Sequence, residues 1–280
     1  MTLKTLPFVK WAGGKGQLFD RLKLRMPDSY KRYYEPFLGG GAMLLGLQPE
    51  QAVVSDTNEQ LLNAYMQLKT DAEAVIAAVN ELDGTVCDTE FYLAQREKYN
   101  DKIRNRILDT ECAALMIWIN KHCFNGLYRV NSKGLFNVPY NNRVKGTSID
   151  AENLRNIGTY LRNANIDIRC GDFEKACCDI RAGDFVYFDS PYVPVSDTAN
   201  FTDYTKTGFL KEDHVRLASL ADSLARKGVL VMLTNNNVPL VHELYQGFEI
   251  EETSVRRAIN RDASKREGAE VIITSYKTGF

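Results

Sequence analysis

The chain has 280 residues, of which 44% are hydrophobic and 25% charged, and its formal net charge is −1. This composition is typical of a globular protein with one large core or two modest ones. No apolar run approaches the roughly 20 residues of a membrane span, and the first ten residues lack the pattern of a secretory leader. The six cysteines lack metal-ligand spacing. We therefore expect a cytoplasmic protein without metal or disulfides.

The first motif in chain order is the segment Phe8–Gly16, which contains a lysine–tryptophan pair and three glycines. It is not a phosphate-binding P-loop, because Lys15 is followed by glycine rather than serine or threonine. We interpret Lys10 and Trp11 as one wall of a ligand pocket. The alternative for Lys10 is an ordinary surface charge.

A glycine-rich turn follows the predicted strand Tyr33–Tyr34. The three glycines Gly39–Gly41 precede a predicted helix, Ala42–Leu47, as in loops that bind nucleotides. A dinucleotide fingerprint requires glycine at the position of Leu44, so its absence disfavours an NAD enzyme.

The next predicted strand, Ala52–Ser55, delivers a carboxylate at Asp56, 17 positions after Gly39. In α/β nucleotide sites an acid at this place accepts hydrogen bonds from ribose hydroxyls. The alternative is that Asp56 caps the helix that follows, and both roles are compatible.

The middle of the chain is predicted to be a helical insertion. Its predicted helices are Leu61–Leu82, Glu90–Arg104, Cys112–His122 and Ala151–Leu161. A polar loop, Asn125–Thr147, interrupts them, and a loop of that length is usually functional or disordered. A basic group in this region consists of Arg129, Lys133, Arg143 and Lys145.

Short apolar strands return in the last third of the chain. The predicted strands are Ile166–Cys170, Phe185–Phe188, Val229–Leu233, Phe248–Val255 and Val271–Tyr276. A predicted helix, Leu210–Arg226, ends before Gly228. This alternation predicts a doubly wound α/β domain with ligands at the carboxyl ends of the strands.

The strand Phe185–Phe188 is followed by Asp189, Ser190, Pro191 and Tyr192. An aromatic amino group is a poor nucleophile, because its lone pair is delocalised into the ring. A carboxylate and a backbone carbonyl that accept its two N–H hydrogens direct that lone pair toward an electrophile, while proline stiffens the turn and a tyrosine ring stacks on an extruded base. A tight turn after a core strand is the alternative for these residues alone.

A second basic cluster lies near the carboxyl terminus. It contains Arg256, Arg257, Arg261, Lys265 and Arg266, with Asp262 as its only acid. Local positive patches suit an enzyme that must leave a polyanionic substrate after each reaction, and the alternative is a solvated face.

These motifs together resemble the Dam group of DNA adenine-N6 methyltransferases. The resemblance is carried, in the family order, by Lys10–Lys15, Glu35-Pro36-Phe37-x-Gly-x-Gly, Asp56-x-Asn58, Asn125–Arg129, Gly134–Pro139, Asp189-x-Pro191-Tyr192, Thr198–Thr202 and Thr234-Asn235. It covers nearly the whole chain.

The resemblance implies the fold and its division. We expect a Rossmann-like methyltransferase domain with a mixed, mostly parallel seven-stranded sheet, formed by residues 1–58 and 165–280. Residues 59–164 are expected to form a helical target-recognition domain whose loop, residues 124–147, reads DNA.

The resemblance also implies the cofactor S-adenosyl-L-methionine (AdoMet) and its ligands. The implied cofactor residues are Trp11, Ala12, Gly13, Lys15, Glu35, Phe37, Gly39, Asp56, Asp172, Phe173 and Asp189. Asp56 is expected to bind the ribose hydroxyls, and Asp172 or Phe173 to lie beside the cofactor's adenine. Asp189, Ser190, Pro191 and Tyr192 are expected to be catalytic, with Asp189 and the Ser190 carbonyl accepting the target amino group and Tyr192 stacking on the flipped adenine.

For DNA recognition, the resemblance implies double-stranded DNA as the partner and GATC as the target. The implied DNA-binding residues are Lys10, Phe124, Asn125, Leu127, Arg129, Asn137, Pro139, Arg143, Asn200, Arg256 and Arg257. Arg129 is expected to contact a guanine, Leu127 and Pro139 a thymine methyl, and Phe124 the gap that the adenine leaves. The alternatives are a core position for Phe124 and a plain surface charge for Arg129.

One residue departs from the family pattern. The usual tetrapeptide is Asp-Pro-Pro-Tyr, and serine occupies position 190 here. Serine still supplies the backbone carbonyl, but the turn lacks one of the two proline rings that stiffen it. We therefore expect this change to affect the turnover rate. Other hypotheses are an RNA or relaxed-specificity adenine methyltransferase and an inactive DNA- and AdoMet-binding homologue. We expect a monomer of bacterial or phage origin. A cognate restriction endonuclease is a possible partner.

Overall fold

The computed structural model describes residues 4–144, 146–195, 208–256 and 267–277, with residues 254–256, 267 and 268 described by their backbone alone. Its described strands are β1 (Tyr33–Glu35), β2 (Gln51–Asp56), β3 (Asn165–Cys170), β4 (Phe185–Phe188), β5 (Leu230–Asn236), β6 (Glu249–Arg256) and β7 (Glu267–Thr274). They form one seven-stranded sheet in the order β3-β2-β1-β4-β5-β7-β6.

Six of the helices in the described residues begin and end within two residues of the predicted positions, whereas Phe19–Leu24, Phe173–Ala176 and Pro239–Leu244 were not predicted. The described helices are α1 (Phe19–Leu24), α2 (Ala42–Leu47), α3 (Glu59–Asp83), α4 (Thr89–Arg104), α5 (Thr110–His122), α6 (Ala151–Asn163), α7 (Phe173–Ala176), α8 (Lys211–Arg226) and α9 (Pro239–Leu244). Short 3₁₀ turns lie at Lys15–Gln17 and Phe124–Gly126.

The sheet is mixed and mostly parallel. Strand β1 pairs in parallel with β2 and β4, and β4 pairs in parallel with β5, whereas β7 is antiparallel to both β5 and β6. All four residues of β4 are buried, as expected for a parallel strand that is covered on both faces. The predicted fold class is confirmed.

Strands β1, β2 and β4 run in the same direction within the sheet. The carboxyl ends of parallel neighbours lie together, and β1, β2 and β4 are neighbours. Strand β1 leads into the glycine turn, β2 ends at Asp56, and β4 leads into Asp189. Ligands of open α/β sheets bind at the carboxyl ends of the strands.

Each predicted strand overlaps an observed one, and two details differ. Strand β7 begins at Glu267 rather than at Val271. Helix α3 is kinked at Asp71, whose φ of −152° and ψ of 89° are not helical, and the Asp71 carboxylate accepts the Ala74 N–H at 3.0 Å. The side chain therefore caps the second half of the helix, which the periodic pattern did not reveal.

The chain divides into two compact units. The first comprises Met1–Lys15, Leu38–Glu50 and Ser55–Gly171, and the second Gly16–Phe37, Gln51–Val54 and Asp172–Phe280. The core of the first unit is helical, and α3 packs there against α5 and α6. The core of the second unit lies on the sheet, where Val186, Phe188 and Val231 pack among other buried side chains with α8 residues such as Leu217.

None of the described helices is long and apolar enough to cross a bilayer. All six cysteines are described, and each is a free thiol. In the described ranges no three His, Cys, Asp or Glu side chains gather in a way that could hold a metal ion.

Candidate functional site

Asp56, at the end of β2, holds the glycine turn. Its Oδ2 accepts the Gly39 N–H at 2.9 Å, and its Oδ1 accepts the Asn58 N–H at 2.9 Å. Burial raises the pKa of the Asp56 carboxyl, and these N–H groups act in the opposite direction. The alternative role as cap of α3 is wrong, because the Asn58 side chain is the cap and accepts the Leu61 N–H at 3.0 Å.

Trp11 packs against the same turn within the first unit. Gly39 has a φ of +49°, and a Cβ there would lie 2.8 Å from Trp11 Cδ1, so only glycine allows this approach. The indole stacks on Tyr128, with 5.2 Å between ring centroids and 29° between planes. The structure therefore brings together Trp11, Gly39 and Asp56, as expected for three residues of one cofactor pocket.

The remaining predicted cofactor residues of the first unit lie beside Trp11 in the sequence. Ala12 and Gly13 are exposed, whereas Lys15 is buried. The Lys15 Nζ donates to the Gly13 carbonyl at 2.6 Å, and this bond closes the turn.

In the second unit, Phe37 and Phe173 form an aromatic pair. Their centroids are 5.5 Å apart with 29° between planes, and Phe209 packs on both rings at 5.8 and 6.0 Å. Asp172 precedes this pair and accepts the Arg216 Nη2 at 3.1 Å. The Arg216 guanidinium also lies 4.9 Å from the centre of the Phe173 ring, so one arginine orients both predicted adenine neighbours.

Glu35, the last residue of β1, is buried. Its Oε2 accepts the hydroxyl of Tyr33 at 2.9 Å, from the same face of the strand. Burial, with the nearby Glu35 charge, raises the pKa of Tyr33 well above its ordinary value, so this hydroxyl remains a donor.

Asp189 lies directly after β4 with its carboxylate held by β5. Its Oδ1 accepts the Thr234 hydroxyl at 3.2 Å, and the same hydroxyl lies 3.2 Å from the Tyr187 hydroxyl. Ser190 is buried with 4% of its surface exposed. Of the four residues predicted to be catalytic, Ser190 is thus buried, Asp189 and Tyr192 are half-buried and Pro191 is exposed.

Tyr192 ends the tetrapeptide Asp189–Tyr192, which is predicted to be catalytic, and contacts β7. Its hydroxyl donates to Glu270 Oε2 at 3.0 Å. Burial, with the charges of Asp189 and Glu270, raises the pKa of Tyr192 well above its ordinary value. The side chain is therefore a neutral phenol, and Pro191 before it is exposed.

The residue after the tetrapeptide, Val193, is bound through both of its backbone groups. Its N–H donates to Asn235 Oδ1 at 2.9 Å, and its carbonyl accepts Asn236 Nδ2 at 2.6 Å. Asn235 therefore does more than end a strand, since it binds a loop 42 residues away in the sequence.

In the first unit, the predicted recognition loop is a hairpin-like structure closed by its own backbone. Phe124 N–H donates to the Pro139 carbonyl at 2.8 Å, and Asn137 N–H donates to the Arg129 carbonyl at 3.1 Å. Isolated antiparallel bridges also join Val130 to Phe136 and Cys123 to Tyr140. In residues 124–140 the loop predicted from its polar composition is thus held by backbone hydrogen bonds without long strands.

Buried polar side chains of α4 anchor this hairpin. Asn100 accepts the Phe136 N–H at 2.8 Å and donates to the Phe136 carbonyl at 3.1 Å. The Tyr92 hydroxyl donates to the Val138 carbonyl at 2.8 Å. Buried polar groups of this kind fix one arrangement of the loop, because leaving them unpaired is costly.

Lys10 lies next to the same hairpin. Asn120 of α5 accepts the Lys10 N–H at 2.8 Å, and its Nδ2 donates at 3.0 Å to the carbonyls of both Lys10 and Gly126. Gly126 has a φ of +66°, and a Cβ there would lie 2.4 Å from Lys10 Cδ. One buried amide therefore joins two segments that the sequence separates by more than a hundred residues.

The side chains predicted to contact DNA are exposed on this hairpin. Phe124 is 51% exposed and Leu127 40% exposed, so the alternative core position of Phe124 is wrong. Arg129 is exposed, and its Nε donates to Asn137 Oδ1 at 2.8 Å, so Asn137 orients the guanidinium. Asn125 and Pro139 are also exposed.

Arg143 lies at the end of the loop, where its Nη2 donates to the Thr147 carbonyl at 2.9 Å. Arg256 ends β6, and only its backbone is described. Asn200 and Arg257, and the basic residues Lys145, Arg261, Lys265 and Arg266, lie outside the described residues.

Several contact residues were not found from the sequence. They are Asn100, Asn120, Asn236, Arg216 and Glu270. For Asn120 a signal existed, since this amide directly follows the apolar run Ala113–Ile119. A buried amide at such a position needs a partner, although the sequence does not say which one.

The chain is similar to known proteins over nearly its whole length. A family model described as D12 class N6 adenine-specific DNA methyltransferase matches residues 11–259. A type II methyltransferase of Lactococcus lactis subsp. cremoris is 42% identical over 96% of this chain and 95% of its own length. A type II methyltransferase of Methanocaldococcus jannaschii is 37% identical over 98% and 100%, and the DNA adenine methylase of Escherichia coli K12 is 31% identical over 99% and 97%.

Proposed function

The chain belongs to the D12 class N6 adenine-specific DNA methyltransferases, and from this premise we propose that it transfers the methyl group of AdoMet to the amino group of a flipped adenine in duplex DNA, with GATC as its target. The observation that carries the proposal is the fixed carboxylate of Asp189 at the carboxyl end of β4, followed by the buried Ser190 and by Tyr192. This is the arrangement that an amino group needs in order to react as a nucleophile.

The described residues fit AdoMet in each unit. In the first, the Asp56 carboxylate is fixed by the Gly39 and Asn58 N–H groups beside the Trp11 ring, which suits the binding of ribose hydroxyls. In the second, the stacked rings of Phe37 and Phe173 suit contact with an adenine. When bound, AdoMet supplies an electrophilic methyl group on a sulfonium sulfur.

Three further residues implied to bind the cofactor are Lys15, Asp172 and Glu35. The Lys15 ammonium closes the Gly13 turn that flanks Trp11. Asp172, oriented by Arg216, accepts a hydrogen bond from the amino group of the cofactor's adenine. Glu35, buried at the end of β1, contributes its negative charge to the part of the pocket that follows that strand.

The catalytic tetrapeptide orients the target amine. We propose that Asp189 and the Ser190 carbonyl each accept one of its two hydrogens, which directs the lone pair away from the ring. The ring of Tyr192, a neutral phenol fixed by Glu270, stacks on the flipped base. Preoriented acceptors of this type stabilise the positive charge that develops on the nitrogen.

The exposed hairpin of the first unit supports sequence reading in the duplex. Arg129, fixed through its Nε by Asn137, presents its two terminal nitrogens for a bidentate contact with guanine in the major groove. Leu127 and Pro139 are exposed for a thymine methyl, and Phe124, half exposed beside them, fills the gap that the flipped adenine leaves. Lys10 contacts the first guanine, and Asn125 and Arg143 contact the backbone.

We keep the division of labour predicted from the sequence as part of the proposal. Residues 1–58 and 165–280 carry methyl transfer, and residues 59–164 carry target recognition. Action as a monomer in the cytoplasm, and the existence of a cognate restriction endonuclease, are predictions that follow from the resemblance alone.

The test uses labelled AdoMet and two short duplexes that differ only in GATC versus GTAC, with the modified base identified by mass spectrometry. N6-methyladenine in the GATC duplex alone is the expected result. Methylation of both duplexes contradicts the target, and methylation of neither, with AdoMet still bound, favours an inactive homologue. Methylation of single-stranded RNA in preference to either duplex contradicts the choice of DNA.

A further inference from the structure

The catalytic tetrapeptide is held at three points by two neighbouring strands. Thr234 of β5 binds Asp189, Glu270 of β7 binds Tyr192, and Asn235 with Asn236 binds Val193. Strand pairing places these groups together, because Thr234, Asn235 and Asn236 are consecutive in β5 and Asn236 is the register partner of Glu270. We call Asn235 and Asn236 the loop clamp.

The loop clamp uses both backbone groups of Val193. Asn235 Oδ1 accepts the Val193 N–H at 2.9 Å, and Asn236 Nδ2 donates to the Val193 carbonyl at 2.6 Å. Asn235 Oδ1 also accepts the Asn236 N–H at 2.9 Å, which fixes the side chain on its own strand. A pair of opposed bonds to one residue prevents both sliding and rotation of the chain at that point.

The side-chain amides of Asn235 and Asn236 are buried where they bind Val193. Asn235 is 3% and Asn236 7% exposed. Burying an amide costs free energy unless it is paired, and an apolar residue at either place would leave a buried group of Val193 unpaired. The two amides therefore hold the loop through hydrogen bonds and not by packing alone.

We propose that Asn235 and Asn236 are positioning residues for methyl transfer, which hold the Ser190 carbonyl and Tyr192 in place through Val193. The inference rests on the proposed methyl transfer. Proline has a fixed φ, and serine at position 190 does not restrict the backbone in that way. The loop clamp supplies, from the far side of the tetrapeptide, the rigidity that a second proline would give.

The expected effect is on the chemical step. A misplacement of about 1 Å in a reacting group lowers the rate by up to roughly 100-fold. Asn235→Ala and Asn236→Ala should each lower kcat by about 10- to 100-fold, while KM for AdoMet and for DNA changes by no more than about 3-fold. Because both amides act on one residue, the double variant should lose little more than the worse single variant.

The experiment measures kcat and both KM values on a GATC duplex, normalised to the fraction of protein that binds AdoMet. Asn237→Ala is the matched control, because Asn237 is the next residue and its Oδ1 lies 2.7 Å from His242 Nε2 instead of in the loop. Asn235→Asp keeps an acceptor oxygen and should retain more activity than Asn235→Ala.

The outcomes separate this inference from the proposed function. A normalised kcat that is unchanged in both alanine variants overturns the inference while methyl transfer stands. Equal losses in Asn237→Ala, or additive losses in the double variant, overturn it too, since they indicate a general loss of fold or two independent contacts. A wild-type chain that methylates neither DNA nor RNA overturns the proposed function and this inference with it.

Discussion

Replacing Gly126 by alanine is expected to disturb target recognition more than stability alone would explain. At this residue φ is +66°, and a methyl group would lie 2.4 Å from Lys10 Cδ and 2.7 Å from Lys10 Cβ. The Lys10 side chain can turn away from the first contact, but its Cβ moves only if the backbone moves. That backbone is bound to Asn120, which also binds Gly126.

The expected cost follows from two terms. A non-glycine residue in the left-handed region costs about 1–2 kcal/mol, and the smaller freedom of the unfolded chain offsets about 0.4–1 kcal/mol of this. Overpacking against Lys10 adds about 1–3 kcal/mol. We therefore expect Gly126→Ala to lower the free energy of unfolding by about 1–5 kcal/mol.

Gly134→Ala is the matched control. The φ of Gly134 is +74°, and nothing lies within 4 Å of the added methyl group. This variant therefore has the backbone cost of a left-handed alanine without a steric clash. Urea denaturation should show a loss of about 1 kcal/mol for this variant. Equal losses in both variants would refute the packing argument. The ratio of kcat/KM for GATC to that for GTAC should fall only in Gly126→Ala, and an unchanged ratio would show that the position of Lys10 does not matter for recognition.

Three further predictions concern the catalytic carboxylate, the guanine contact and a buried histidine. Asp189→Ala should abolish transfer while calorimetry still detects AdoMet binding, and retained activity would contradict its role. Arg129→Gln should reduce the preference for one guanine by about 1–3 kcal/mol in competition assays, whereas a uniform loss across sequences would indicate a phosphate contact. Burial lowers the pKa of His214 from 6.5 to about 4. Between pH 6.5 and pH 4 the unfolded chain therefore binds a proton on this imidazole that the folded chain does not bind. The free energy of unfolding should consequently fall by about 3 kcal/mol as the pH drops from above 6.5 to 4. His214→Leu should remove this part of the pH dependence in urea denaturation, and an unchanged slope would show that His214 is not its source.

The sequence alone predicted all seven described strands and most of the described helices. Apolar runs such as Phe185–Phe188 predicted buried parallel strands, and the polar residues directly after them, Asp56 and Asp189, were placed at the carboxyl ends that the structure describes. These features depend on local periodicity and on residues adjacent in the chain, which a sequence displays directly.

Only the tertiary structure decided which side chains share a contact. The Phe124 N–H binds the Pro139 carbonyl, the Lys10 N–H binds Asn120, and Val193, directly after the tetrapeptide, is bound by Asn235 and Asn236. The partners in these last two contacts are 110 and about 40 residues apart. A periodic pattern shows that an amide is buried, but the choice of its partner follows from the packing of distant elements, because a buried amide binds whichever backbone group the fold brings within reach.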